Sequence, residues 1–236
     1  MTPAAPMALS PAARITLAGH VAHLLPQRAL YLAEFDALLV ADVHLGKAAS
    51  FRRLGVPVPE ATTAATLRRL DDALAACSAG HLVVLGDLLH SALALPPGTL
   101  ASVQQWRERQ AGLRITLVRG NHDQRSGDPP DGLKVDCRDG PIALGRLQLV
   151  HDPAEAPVAA NATAADNEAG YVLAGHVHPA VVLGGRARSA VRLPCFHFGP
   201  SVGVLPAFGD FTGSHVLPRG PDCRIYAVAE GRVVAV

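Results

Sequence analysis

Apolar positions along this chain fall in short runs separated by Gly, Pro and Asp, not in long stretches. Four such runs, RITLAG, HVAHLL, ALYLAE and ALLVAD, follow one another between residues 14 and 42 and predict consecutive strands. From Pro59 to Ala79 the period changes. Leu67, Leu70, Leu74 and Cys77 recur at three- and four-residue spacing, which predicts an amphipathic helix. A second helix is predicted from Thr99 to Ala111, with Leu100, Val103 and Trp106 turned inward or toward a partner. The runs HLVVLGD, RITLVRGNHD, RLQLVH and GYVLAGHVH each read as a further strand, so the middle of the chain alternates strand and helix, the pattern of an α/β domain. After Gly175, short runs broken by Gly and Pro (AVVLGG, VRLPCFHFG, SHVLP, CRIYAVA, RVVAV) predict a second sheet of mostly antiparallel strands. Two sheets packed together with helices outside is the simplest assembly. It would form one domain over residues 14–236, after a disordered Pro/Ala-rich stretch at 1–13.

Composition narrows the function classes. With 236 residues and 49% apolar side chains the chain can bury a sizeable core. Six Phe, three Tyr and one Trp are too few to build it, so Leu, Val and Ala must. A net charge of +1 argues against a surface that grips nucleic acid by charge alone. Cys77, Cys137, Cys195 and Cys223 are widely spaced and form no CxxC pair, which predicts free thiols in a reducing compartment. The N-terminal stretch lacks the basic start and apolar run of a signal peptide, and no apolar run is long enough to span a bilayer, so a soluble cytoplasmic protein is expected. Residues 152–169 carry four acidic side chains and no Lys or Arg, and read as a surface loop, or as a lid because they begin beside His151.

The chemistry is concentrated in five strings, each directly after a predicted strand: Asp42-Val43-His44, Gly86-Asp87, Gly120-Asn121-His122-Asp123, His151, and Gly175-His176-Val177-His178. In open sheets with parallel strands, ligands gather at the carboxyl ends of the strands. Side chains two apart on a strand point the same way, so Asp42 and His44 can converge on one ion. A carboxylate has two oxygens, so Asp87 can bridge two cations. Asn121 offers a neutral oxygen, and His151, His176 and His178 offer imidazole nitrogens. Mixed N/O ligation favours Mn, Fe or Zn over Mg or Ca. Two such ions, roughly 3.5–4 Å apart, would clamp a phosphate, activate a water and stabilise in-line attack. His20, His23, His81, His197 and His215 fall outside these strings and read as ordinary polar residues. His90, three residues past Asp87, can reach the rim.

The strings, in this order, resemble the pattern D-x-H … G-D … G-N-H-D/E … H … G-H-x-H of the calcineurin-like metallophosphoesterases, and span residues 42 to 178. The resemblance implies an α/β sandwich of two central mixed β-sheets flanked by helices. It implies Asp42, His44, Asp87 and His178 around one metal, and Asp87, Asn121, His151 and His176 around the other, with Mn the first choice of ion. It also implies His122 as the acid that protonates the leaving oxygen, held by Asp123. A narrower likeness, over ADVHLGKAASFRRLGVPVP, GDLLH, GNHD, GHVHP, RLPCFHF and LPAFGDFTGS, is to a bacterial subgroup described as ligase-associated DNA damage response endonucleases. That likeness, and no property of the residues themselves, implies DNA as substrate and repair proteins such as a ligase as partners.

The metal strings require a phosphate ester without specifying which. Lys47, Arg52, Arg53, Arg119, Arg125 and Arg186, with Arg188 and Arg192 behind them, are candidates for a phosphate-binding rim. Trp106 and Phe51 could stack on a base or pack in the core. Three readings stand: a DNA endonuclease, a phosphoesterase for nucleotides or other small esters, and a non-enzymatic scaffold. The complete ligand set, together with His122, disfavours the scaffold.

Overall fold

The computed structural model describes residues 13–53, 55–57, 62–90, 95–156, 170–184 and 190–236. The first sheet has seven strands in chain order: β1 (Ala13–Leu17), β2 (His20–Leu25), β3 (Ala29–Leu32), β4 (Ala37–Ala41), β5 (His81–Leu85), β6 (Arg114–Val118) and β7 (Asp136–Arg138). β1 to β4 form an antiparallel meander, and β4 to β7 run parallel. Parallel neighbours need crossovers. α1 (Lys47–Arg53) and α2 (Thr62–Cys77) supply the one from β4 to β5, and α3 (Pro97–Arg109) the one from β5 to β6. A short helix, α4 (Asn121–Ser126), follows β6.

The second sheet runs β14 (His215–Val216), β11 (Pro179–Gly184), β12 (Ala190–Phe198), β13 (Val202–Val204), β10 (Tyr171–Ala174), β9 (Leu147–Leu149), β8 (Ile142–Leu144). β15 (Arg224–Ala229) pairs with β12 and with β16 (Arg232–Ala235). Its pairings are mostly antiparallel, as predicted, but β9, β10 and β13 are parallel neighbours and β11 runs parallel to β14.

Alternation along β4 explains the layering. Leu38 and Val40 face the helices, where they meet Leu67, Leu70, Leu74 and Trp106. Ala37, Leu39 and Ala41 face the other sheet, where they meet Leu173, Phe196 and Phe198. A strand buried on both faces reads as a continuous apolar run, which is why ALLVA lacks polar alternation. The predicted helical stripe at Leu67, Leu70 and Leu74 is the buried face of α2.

The two sheets touch at the carboxyl ends of their parallel strands. Gly175, just past β10, lies so close to the ends of β4 and β5 that a Cβ there would meet Ala41 Cβ at 2.7 Å, Asp42 Oδ2 at 2.8 Å and the Leu85 carbonyl at 2.9 Å. Phe208 and Gly209, beyond β13, donate backbone hydrogen bonds to the carbonyls of Ala41 and Asp42. Contributions from both sheets therefore meet on one rim. Among the described residues no helix is long and apolar enough to cross a membrane. All four cysteines are free thiols, with only Cys195 fully buried.

Trp106 belongs to the core. It is 4% exposed, and its Nε1 donates to Asp71 Oδ1 at 2.7 Å, tying α3 to α2. Phe51 is half-buried on α1. Replacing Trp106 with Ala should lower stability by roughly 3–5 kcal/mol, the usual cost of an aromatic-to-alanine cavity. Asp71→Ala should cost about 1–3 kcal/mol by leaving the indole N–H without a partner. Urea denaturation of each variant measures both, and the tryptophan change should leave metal stoichiometry unaltered.

Candidate metal centre

Three strings come from the first sheet and two from the second. Asp42 and His44 leave β4, Asp87 leaves β5, Asn121 and His122 open α4 after β6, His151 follows β9, and His176 and His178 follow β10. The chain ends of β4 and β5 continue to pair past their strands. Asp42 N donates to Gly86 O, His44 N to Asp87 O at 2.8 Å, Leu45 N to Leu88 O, and His90 N back to Leu45 O. This zipper holds His44, Asp87 and His90 side by side.

Backbone conformation is unusual here. Asp42, His44, Asp87, His176 and His178 have φ of 53°, 48°, 52°, 67° and 52°, in the left-handed region. Such residues cost about 1–3 kcal/mol each and cluster where a site needs them, although Asp and His tolerate the region better than most. The turn before Asp87 needs a glycine on two counts: Gly86 has φ of 74°, and a Cβ there would collide with the His151 ring.

Several of these side chains come together. Asp42 Oδ1 lies 3.6 Å from His178 Nε2 and 3.9 Å from His151 Nδ1, and its Oδ2 accepts from the His176 N–H at 2.9 Å. Asp87 stands between two histidines: Oδ2 is 3.7 Å from His44 Nε2, and Oδ1 is 3.7 Å from His151 Nε2. His151 Nε2 is also 3.0 Å from Asn121 Oδ1 and 3.0 Å from His176 Nδ1. Asp42, His44 and His178 form one group able to hold an ion, and Asp42, Asp87 and His151 another.

The donor chemistry fits divalent cations. His151 Nδ1 faces the Leu85 carbonyl at 3.1 Å, and His178 Nδ1 faces the Gly213 carbonyl at 3.1 Å. A ring nitrogen against a carbonyl must carry the proton, so in the neutral rings Nε2 of each carries a lone pair. Those lone pairs point at the amide oxygen of Asn121 and the carboxylate of Asp42, which also bear lone pairs. A divalent cation bound by both partners would resolve each of these contacts. Asp42 and Asp87 are 0% and 3% exposed, and Asp42 Oδ1 and His44 Nδ1 have no hydrogen-bond partner among the described residues. Burying an ionised carboxylate costs several kcal/mol unless charge offsets it. The nearby Lys47 is one positive charge set against two carboxylates, and its own pKa is lowered by burial, with Asp87 and Asp42 partly offsetting that effect.

Electrostatics keeps two of the imidazoles, His44 and His90, neutral. Burial, then Lys47, His178, His122 and His90, push His44 down to about 2. His90 falls to about 4, through burial first and then Lys47 and His122. A neutral ring retains the lone pair a metal needs.

His122 sits at the edge of this cluster. Its ring meets His44 edge-on with centroids 5.1 Å apart and lies 5.1 Å from His90. Its Nδ1 faces the His90 carbonyl at 3.2 Å, and its backbone N–H donates to Asp87 Oδ1 at 3.0 Å. His90, a rim candidate in the sequence, is thus part of the cluster, with Nδ1 buried and unpartnered.

Asp123 does not hold the His122 ring. Its Oδ2 accepts from the Asp87 N–H at 2.7 Å and the Gly120 N–H at 2.9 Å. Adjacent helical residues do not face each other, so a carboxylate at the next position points elsewhere. Burial raises its pKa to about 6, against the two N–H donors that lower it. Asp123 is therefore a positioning residue that ties the turn after β5 to the turn after β6.

The rim candidates divide. Lys47 is near the carboxylates. Arg52 is half-buried on α1, and Arg53 ends that helix. Arg125 is exposed on α4. Arg119 is committed elsewhere, with a two-pronged pair to Asp128 at 2.7 Å and a bond to Asp139 at 3.1 Å, and these partners raise its pKa. Arg186 and Arg188, and most of the proposed lid at 152–169, lie outside the described residues. Sequence reasoning missed two contributors. Asp152 Oδ2 lies 3.6 Å from His176 Nε2, and the Gly213 carbonyl orients His178. The position of Asp152 beside His151 was a usable signal, whereas the Gly213 contact joins residues 35 apart in sequence and left none.

Comparison with known proteins identifies the family. A family model for the calcineurin-like phosphoesterase superfamily domain matches residues 36–188. No curated protein sequence matches. Among solved structures, the Pseudomonas putida nuclease MPE is 41% identical, with a TM-score of 0.76 over 95% of this chain and 100% of that one. Yfce, a phosphoesterase from E. coli, is 18% identical over 84% of this chain and 96% of that one, with a TM-score of 0.39. With the family model covering most of the chain and the nuclease aligned along nearly all of it, the chain belongs to the calcineurin-like phosphoesterase superfamily, as a metal-dependent hydrolase of phosphoester bonds.

Proposed function

We propose that the chain is a dinuclear metal-dependent phosphodiesterase that cuts DNA. The observation that carries the dinuclear reading is the Asp87 carboxylate, with one oxygen 3.7 Å from His44 and the other 3.7 Å from His151. Asp42, His44, Asp87 and His178 would hold one ion, and Asp87, Asn121, His151 and His176 the other. The N/O donor set suits Mn, Fe or Zn, and the family resemblance makes Mn the first choice. When bound, the ions supply charge neutralisation at the phosphate and a water activated for attack.

The chain's own groups do the rest. The His90 carbonyl fixes the His122 ring by accepting from Nδ1–H, and in the doubly protonated ring Nε2–H donates its proton to the leaving oxygen. Asp123 keeps the Asp87 and Gly120 backbones in register, so that His122 and Asp87 hold a fixed spacing. The likeness to a nuclease over the whole chain supports a nucleic-acid substrate. The sequence likeness to ligase-associated endonucleases supports a place in DNA repair. Turnover of plasmid, single-stranded oligonucleotide and a nucleotide panel, side by side with added Mn, tests this. Efficient turnover of nucleotides with no cleavage of nucleic acid would replace it with a small-ester phosphoesterase.

Elemental analysis under saturating Mn should find two ions per chain. Asp87→Asn should lower that count and abolish activity, because the change weakens both positions. Full activity at one ion per chain would end the dinuclear reading. Separately, His122→Asn should keep both ions while slowing cleavage roughly 10²–10⁴-fold, the usual size of a general-acid contribution. The loss should shrink on a nitrophenyl ester, whose leaving oxygen needs little protonation. Equal loss on both ester types would indicate a structural role instead.

A further inference from the structure

Phe211 is the one aromatic among the exposed large hydrophobic side chains of the described residues, at 50% exposure. Its backbone is left-handed, with φ of 58°, an outlier for a bulky side chain. Cores hide phenylalanines, and strained turns favour glycine. A strained, displayed phenylalanine departs from both habits, and the surrounding structure holds it there. On one side, Arg69 pairs with both Asp210 oxygens at 2.9 and 3.0 Å, Arg28 reaches the Gly209 carbonyl, and the Gly209 N–H donates to the carbonyl of Asp42 at 3.0 Å. On the other, the Gly213 carbonyl accepts from His178 Nδ1, and the His215 N–H donates to the His178 carbonyl at 2.9 Å. Both ends of the loop are thus bonded to residues of the metal centre, and Phe211 stands between them.

Phe211 also shares an open pocket with His178, Arg28 and Arg192, of which Arg192 is exposed. That pocket holds about 240 Å³. Sites that enclose small molecules run to roughly 300–1,000 Å³, so this one is better suited to a flat group lying on its surface than to an engulfed nucleotide. With a net charge of only +1, the chain has little charge to spend on binding a polyanion. Stacking on an aromatic face is the other general source of affinity for unpaired strands, and it tolerates any base.

We propose that Phe211 stacks on an unpaired nucleobase next to the scissile phosphate and fixes the strand on the His178 side of the metal centre. This rests on the nuclease reading above. It makes Phe211 a specificity-determining residue for single-stranded over fully paired substrate, since a base inside a duplex has no free face to offer.

The test uses the Mn-loaded full-length protein on a single-stranded oligonucleotide whose cleavage position has been mapped. A second substrate series carries an abasic nucleotide at each position flanking that bond, and bis(p-nitrophenyl) phosphate serves as the base-free ester. Phe211→Ala should lower kcat/KM on the oligonucleotide roughly 5- to 150-fold, the equivalent of ~1–3 kcal/mol of stacking. It should leave the nitrophenyl diester and the metal stoichiometry unchanged, and Phe211→Trp should restore cleavage. One abasic position should penalise the wild type by a similar factor and Phe211→Ala hardly at all. Phe211→Gly, which relieves the φ strain, replaces the alanine variant if that one fails to fold. Equal losses on oligonucleotide and nitrophenyl diester, or the same abasic penalty with and without the ring, would overturn the inference while the nuclease reading stands. Failure of the wild type to cut any nucleic acid would overturn both.

Discussion

Two carboxylates, Asp42 and Asp87, are buried where the sheets touch, and among the described residues each accepts a single hydrogen bond, from the backbone N–H groups of His176 and His122. An ionised carboxylate can accept about four. The deficit is the constraint around which the rest is arranged. Imidazoles surround the pair, and His151 and His178, each with Nδ1 against a backbone carbonyl, turn Nε2 toward an oxygen of Asn121 or Asp42. The two carboxylates and three of the surrounding histidines, His44, His176 and His178, adopt left-handed backbone conformations. A core built for stability alone would not accumulate such costs, and divalent cations relieve the electrostatic ones together.

The fold meets this constraint by bringing strand ends from two sheets to one rim. The parallel order of β4, β5 and β6 sets Asp42, Gly86 and Arg119 level, and the parallel β9 and β10 do the same for the second sheet. Gly175 and Gly86 permit the close approach, and the backbone bonds past β4 and β5 convert two strand ends into a rigid floor. Asp123, read from sequence as a partner of His122, instead joins the floor to the turn that carries Asn121 and His122. Its effect on the chemistry is indirect, through the placing of Asp87.

Much of this was legible in the chain. Most strands before a metal string are largely apolar runs buried on both faces, β9 with its half-buried Gln148 being the exception, and such runs stand out where a turn and a charged residue end them. The α2 stripe was visible because its helix is long enough to repeat the period several times. α1, with seven residues, and β7, β8 and β13, with three each, are too short to display a period and were not anticipated. The ligand set was readable because it is made of residues adjacent in sequence at strand ends. The contacts of Gly213 with His178 and of Asp210 with Arg69 were not, because each joins distant segments through a loop whose sequence, GDFTGS, shows turn chemistry alone. The same limit explains Arg119, a plausible phosphate contact by position whose guanidinium is taken up by Asp128 and Asp139.

The substrate question turns on the rim, whereas the chemistry turns on Asp87. If that carboxylate bridges two ions, the roles of His122, Asp123 and the surrounding histidines follow from their geometry. If it binds one, the second group of ligands has no purpose in this account. Anomalous diffraction from crystals soaked in Mn, collected at the manganese edge, decides between them. The account predicts two peaks of comparable height, about 3.5–4 Å apart, one toward His44 and His178 and the other toward His151 and Asn121, with the Asp87 carboxylate between them. A single peak at saturating Mn, or a second peak that does not touch Asp87, would contradict it.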